Sequence, residues 1–355
     1  MARHALSFVP GVKSGPRLSA AAGSGEILVT IRSSLRAERG RGRRHPGAVR
    51  APRVCFRQRV EEDRMIGTVE VKRAAGALGA EIRGLDLRAT RTEDDIRPLV
   101  DALAQHLVVF LCDQPVDLDD LERVTDLLGG RDSTPYVGAV PGRPYVIRVI
   151  KEAGDVLNFA NAWHTDLSYL AAPPSYTLLH AHDVPPYGGD TLWANQYLAF
   201  QTLSAGLRRA LLATRAVHSA GTAYGTGGFL DRAKDLTSMA IEPSDEAYQE
   251  QVHPVVRRHP VTGLSALYVN PVYTTRFAGW TPAESEGLLR YLSRHATAEN
   301  FTFRLRWDEH TLAIWDNRCT MHNALNDYSG VRREMFRTSV RGDVPEAAEP
   351  SDPMD

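Results

Sequence analysis

Apolar positions along this chain follow two periods, and the change from one to the other divides it. Ile96, Leu99, Val100, Leu103 and Leu107 recur at helical steps, behind a Thr92 and Asp95 pair that reads as a capping box. Leu118, Leu121, Val124, Leu127 and Leu128 mark a second helix, stopped by Gly129 and Gly130. Short strands are expected around these helices at Gly67–Val71, Glu81–Leu87 and Val108–Leu111. From about Val146 onward the texture changes to short strands broken by Pro and Gly: Tyr176–Ala181, Thr191–Ala194, Ala266–Val269, Phe301–Trp307 and Thr311–Trp315. One helix interrupts them at Ser204–Arg215. Another opens at Thr281, where an N-cap, Pro282 in the first turn and Glu284 coincide. Many short strands with few helices predict a mainly β fold, a barrel or jelly roll with helices packed outside.

Charge adds a second division. Of the 42 Lys and Arg, 14 lie in the first 64 residues, against 5 of the 43 acids, a balance of +9 there and -10 in the rest. The basic part has no sustained apolar period and is expected to be a disordered extension. It reads as a mis-assigned start upstream of Met65, as a targeting peptide or as a nucleic-acid-binding arm. The first is favoured, because an orderly pattern begins at Met65. An acidic body gives no support for nucleic-acid binding. The expected organisation is therefore 1–64 as extension, 65–345 as one domain and 346–355 as a flexible tail. Three widely spaced cysteines, Cys55, Cys112 and Cys319, do not make a disulfide framework and fit a reducing, cytoplasmic setting. No apolar run is long enough for a membrane span.

The first chemical signal is Trp163-His164-Thr165-Asp166. In an extended segment residues two apart face the same side, so His164 and Asp166 would point inward together. His322, just beyond a predicted strand, is the best third ligand. Two His and one carboxylate on one side of a metal, with open positions opposite, suit a non-haem Fe(II) oxygenase. The same donors also suit zinc in a hydrolase, or a cupin-like sensor that binds metal without turnover. A second signal follows His322. Arg333 and Arg337 are four apart, so on a strand they share a face, and an arginine fork matches a carboxylate through two hydrogen bonds.

These segments together resemble the taurine dioxygenase/TfdA family, including its aryloxyalkanoate branch. The matching stretches are Trp163 to Asp166, Val184 to Leu192, His253-Pro254-Val255-Val256-Arg257, Leu267-Tyr268-Val269-Asn270, and Trp315 to Arg318 followed by His322, Asp327, Tyr328, Arg333 and Arg337. The Val217-His218-Ser219-Ala220 segment also looks like the aryloxyalkanoate branch. Order and spacing agree from about Val69 to Asp343.

The resemblance implies a double-stranded β-helix (jelly roll, cupin-like) and Fe(II) held by His164, Asp166 and His322. It implies 2-oxoglutarate and O2 as cosubstrates, with Thr191 and Arg333 on the distal carboxylate and Leu167 lining the cosubstrate. It implies hydroxylation beside a heteroatom in a small anionic substrate, a sulfonate or aryloxyalkanoate, with succinate and CO2 as coproducts. Arg337 would hold the substrate anion, and Tyr224, Tyr273 and Thr134 would shape its pocket. Where taurine enzymes place a His and an Asn, this chain has Thr134 and Ala160, with Asn158 and Asn161 nearby. Relatives form dimers or higher assemblies, so a homo-oligomer is expected.

Overall fold

The strand Leu312–Asp316 has no exposed residue, and its two faces enter different cores. Leu312 and Ile314 pack with Leu99, Leu103, Leu121 and Val124, the apolar stripes of helices Glu93–His106 and Leu118–Leu127. Ala313 and Trp315 face the opposite way, into a core shared with Val149, Leu179, Trp193 and Met335. The alternation follows from the two-residue period of a strand. It makes the main sheet a partition, with helices on one side and a closed interior on the other.

This computed structural model describes residues 64–66 and 69–349. The chain divides into Met1–Glu62 and Asp63–Asp355, and the architecture below is that of the second unit. The main sheet runs Arg64–Ile66, Val69–Arg73, Ala80–Arg83, Val108–Leu111, Leu312–Asp316, Tyr176–Asp183, Arg333–Val340, Arg143–Lys151 and Ala139–Val140. Among the described strand pairs only Ala80–Arg83 with Val108–Leu111 is parallel. The helix Glu93–His106 lies between those two strands in the chain, as a parallel crossover requires. A smaller sheet, Thr302–Leu305, Thr191–Asn195 and Thr320–Ala324, closes the interior from the other side. Its Trp193 stacks on Phe303 at 6.0 Å and meets Trp315 of the main sheet at 5.6 Å. Two sheets closing on one apolar interior, with helices outside, make the jelly roll that the strand pattern predicts.

Several boundaries differ from the pattern, each for a local reason. The strand expected to reach Leu87 ends at Arg83, because Gly84 turns the chain at φ 80°. The helix expected to reach Arg215 covers Ala205–Leu212, and Arg215 instead opens the strand Arg215–Ser219. Strand Ser265–Leu267 stops short of Val269. Glu346 O accepts from Arg258 N, and Ala348 N donates to Val256 O, so ordered pairing runs past the expected boundary at 345. The expectations for residues 1–63 lie outside the described residues. No helix among the described residues is long and apolar enough to cross a membrane.

Candidate metal and anion site

His164 and His322 form an isolated antiparallel bridge, each backbone N–H donating to the other's carbonyl at 3.0 and 2.8 Å. That pairing places the two rings 4.2 Å apart. An extended His-x-Asp segment would carry both side chains to one side, but extension ends at the bridge. Asp166 already lies in a turn, continued by Leu167 in the left-handed region at φ 49°. The carboxylate still reaches the histidines: Asp166 Oδ1 is 3.5 Å from His164 Nε2 and 3.8 Å from His322 Nε2. All three side chains are buried. Their candidate ligand atoms lie within 4.8 Å of one another.

The surroundings fix how these atoms are presented. His164 Nδ1 lies 2.7 Å from the Ala162 carbonyl, which can only accept, so Nδ1 carries the proton and Nε2 keeps its lone pair. Asp166 Oδ2 accepts from Thr177 Oγ1 at 2.8 Å. That hydroxyl accepts from Asn317 Nδ2, and Asn317 Oδ1 accepts from Trp315 Nε1. The relay holds one carboxylate oxygen and leaves Oδ1 facing the histidines. Burial alone would raise the Asp166 carboxyl. The Arg337 guanidinium, then His322 and His164, outweigh it and hold the group well below the usual carboxylate range. Burial, then the neighbouring His164, push His322 well below its ordinary value, so it is a neutral donor.

Two buried arginines project from one face of the strand Arg333–Val340. Arg333, Met335 and Arg337 alternate with Phe336 and Thr338, which face the helices; Thr338 Oγ1 meets Thr125 Oγ1 at 2.7 Å. Nε and Nη2 of Arg333 make no hydrogen bond, and neither do Nε and Nη2 of Arg337. Arg337 Nη2 is 3.1 Å from Asp166 Oδ1, an ion pair without hydrogen-bond geometry. Its partner is therefore the Asp166 carboxylate and not Asp327, which binds Gly189 N and Arg304. Beside Arg333, Gly189 at φ 70° lets Tyr328 and the Arg333 stem approach; a Cβ there would meet them at 3.0 and 3.4 Å. Burial lowers the Arg333 pKa, opposed by Tyr328 and Asp190. Thr191 opens the central strand of the smaller sheet, and Trp307 Nε1 donates to its hydroxyl at 3.0 Å, leaving the Thr191 proton to be donated elsewhere. Unused guanidinium donors in a buried site are costly, and an anion with paired oxygens satisfies them. The donor set and these orphaned groups fit Fe(II) with a chelating dicarboxylate.

A cavity of about 300 Å³ opens on His164 and Asp166. His164, Asp166, Leu167, Arg337, Thr134, Tyr224 and Tyr273 all line it, and so do Asn158, Ala160 and Asn161. Arg333, Thr191 and His322 are not among its lining residues. Burial pushes the Tyr224 phenol up to about 12 and Tyr273 well above its ordinary value, so both act as neutral hydroxyls. Thr177, Asn317 and the wall residues Phe229 and Leu230 escaped the sequence reading. Asn317 does lie inside the quoted Trp315–Arg318 stretch, whereas the other three carry no motif.

A family model described as taurine catabolism dioxygenase TauD, TfdA family, matches residues 70–339. An alpha-ketoglutarate-dependent sulfate ester dioxygenase of Pseudomonas putida is 34% identical over 283 residues, covering 78% of this chain and 91% of that protein. A taurine dioxygenase structure from Burkholderia xenovorans superposes with TM-score 0.65 at 33% identity, covering 79% of this chain and 93% of the other. The crystal structure of AAD-2 with Mn(II) and N-oxalylglycine superposes with TM-score 0.63 at 26% identity, covering 79% and 99%. With a metal-type triad, two orphaned guanidinia and this breadth of likeness, the chain belongs to the TauD/TfdA family of Fe(II)- and 2-oxoglutarate-dependent dioxygenases.

Proposed function

We propose that His164, Asp166 and His322 hold Fe(II), that Arg333 with Thr191 takes the distal carboxylate of 2-oxoglutarate, and that Arg337 takes the anionic head of the substrate. The observation that carries this reading is the pair of buried, under-bonded guanidinia on the face that also approaches the triad. With O2, the iron and 2-oxoglutarate supply C–H hydroxylation, releasing succinate and CO2. The chain's own residues bind and orient. Thr177 holds Asp166 through Oδ2, and Ala162 O fixes the His164 tautomer. Leu167, Tyr224 and Tyr273 surround the reacting region and limit water.

The substrate class is a sulfate ester, sulfonate or carboxylate with an apolar body. Among the described residues Asp166 is the one acid lining the cavity, so a cationic group such as an ammonium meets no free carboxylate among them. Leu157, Phe159, Phe229, Leu230 and Val272 supply apolar wall instead. This favours alkyl or aryl anions over the zwitterion taurine. For a sulfate ester, hydroxylation of the carbon bearing oxygen gives a product that separates into an aldehyde and sulfate. A cytoplasmic setting fits the unpaired thiols of Cys112 and Cys319.

The test is anaerobic loading with Fe(II) and 2-oxoglutarate, followed by O2 and a panel of alkyl sulfates, alkyl sulfonates and aryloxyalkanoates beside neutral analogues. Succinate released above the substrate-free rate by anions with apolar bodies is the expected result. Succinate that never rises above that rate for any anion overturns the reading.

A further inference from the structure

Three stretches that carry the family resemblance are unused by the site so far: Val217–Ala220, His253–Arg257 and Leu267–Asn270. Their polar side chains converge on the turn that carries Asp166. Ser168, two residues beyond the carboxylate, accepts from Asn270 Nδ2 at 2.9 Å and shares a 3.1 Å hydrogen bond with His218 Nδ1. His253 Nε2 donates to the Leu170 carbonyl at 2.9 Å. His218, His253, Asn270 and Ser168 are 0, 3, 4 and 1% exposed, so no water competes from bulk solvent. The His218 ring stacks on Tyr268 at 5.9 Å and meets His253 edge-on at 5.3 Å, which restricts its rotation.

Asn270 has a second role. Its Oδ1 accepts from Tyr273 N at 2.9 Å and Val272 N at 3.2 Å, and both residues line the substrate cavity. One amide therefore grips the metal-bearing turn with its N–H and the cavity wall with its carbonyl. The turn needs such a grip. Leu167 holds a left-handed backbone that non-glycine residues rarely adopt, and such a conformation persists only where its surroundings over-determine it.

We propose that Asn270, supported by His218 and His253, is a positioning residue that fixes the Asp166 turn relative to the wall holding the substrate. This rests on the metal and substrate roles proposed above. Loss of the grip leaves the ligands and the cavity present but out of alignment, so 2-oxoglutarate is consumed without matching oxidation of substrate.

Ser168→Ala removes the acceptor for Asn270 while touching neither ligand nor cavity wall, and Ser168→Thr retains a hydroxyl. Asn270→Ala removes both halves of the grip. Three quantities are measured: Mn(II) affinity of the protein without 2-oxoglutarate, the ratio of product to succinate, and thermal midpoint. In Ser168→Ala, Mn(II) affinity and coupling ratio are expected to fall, the affinity by about tenfold as for other outer-sphere partners of metal ligands. The substrate KM changes little, and Ser168→Thr recovers most of both losses. Asn270→Ala lowers the ratio further. Parental affinity and ratio in Ser168→Ala overturn the proposal, as does a loss that only tracks the thermal midpoint and that Ser168→Thr does not restore. If the parent protein itself yields no substrate-dependent succinate, the functional reading fails instead, and the Mn(II) titrations still judge the grip on the turn.

Discussion

Among the described residues two buried clusters each gather three groups able to bind a metal: His164, Asp166 and His322, and His259, Asp316 and Cys319. Their hydrogen bonding separates them. In the second cluster Asp316 Oδ1 accepts from the backbone N and Nε of Arg318, while Oδ2 accepts from Arg318 Nη2 and His259 Nε2. His259 Nδ1 is already taken by the N–H groups of Val261 and Thr262. Neither Asp316 nor His259 has a lone pair left to offer, and burial keeps the Cys319 thiol protonated, with its S–H directed at Asp316 O 3.8 Å away. In the first cluster His164 Nδ1 and Asp166 Oδ2 are bonded outward and His322 Nδ1 has no partner, while Asp166 Oδ1 faces the two Nε2 atoms and Arg337 at ion-pair distances alone. Proximity of donors does not make a metal centre; unspent lone pairs aimed at one point do. The second cluster is a structural lock between the strand Leu312–Asp316 and the turn after His259.

The sharpest way to break this contrast is to remove each carboxylate. Asp166→Ala is expected to abolish succinate formation and lose bound iron, measured by metal analysis, with the fold retained by circular dichroism. Asp316→Asn is expected to keep its iron but lose about 3–5 kcal/mol of stability in urea unfolding, because the buried Arg318 loses its charge partner. Equal iron loss in both variants would remove the distinction. Next in size is Arg333→Lys, which keeps charge but loses the fork. The 2-oxoglutarate requirement should rise roughly ten- to a hundredfold, the worth of about 1.5–3 kcal/mol for a charged hydrogen bond. Arg337→Gln should selectively weaken anions against their neutral amides or esters, read as a change in the ratio of kcat/KM values. An unchanged ratio would assign Arg337 to the Asp166 ion pair alone.

The smallest effect is in pH. Burial raises the Asp316 carboxyl, but the Arg318 ion pair and the hydrogen bonds from Arg318 and His259 outweigh it and hold it well below the usual range. A carboxyl lowered on folding stabilises above its unfolded pKa, near 4, and that contribution fades as pH falls below it. Urea midpoints of the parent should therefore drop more steeply below about pH 4 than those of Asp316→Asn.

His164, Asp166 and both arginines were legible from spacing, the His-x-Asp pair and two arginines four apart on a strand, whereas His322 was singled out by its place just beyond a predicted strand and by the family resemblance. The capping boxes of Thr92 with Asp95 and Thr281 with Glu284 were legible for the same local reason. What escaped depends on partners far away in sequence. Thr177 meets Asn317 across 140 residues, and Ser168 meets Asn270 across 102. A threonine or serine gives no periodic signal of such a bond. The strand Arg143–Lys151 was also unnamed, since its burial does not alternate cleanly. The turn at Asp166 was not legible, because the pattern shows a pair of candidate ligands but not the left-handed Leu167 that follows.

The strand Arg333–Val340 has one more consequence. Its pairing with Tyr176–Asp183 slips between Glu334 and Met335, and the extra residue, His182, lies on the neighbouring strand. Pairing with Arg143–Lys151 stays in register from Arg333 to Arg337. The strand thus works as a ruler between its two arginines, with graduations of about 3.3 Å per residue and two heads about 13 Å apart along the backbone. A single inserted residue between them would not merely lengthen the gap. It would turn one head out of the interior, so evolution can retune the molecules held at either mark but cannot move the marks themselves one residue at a time.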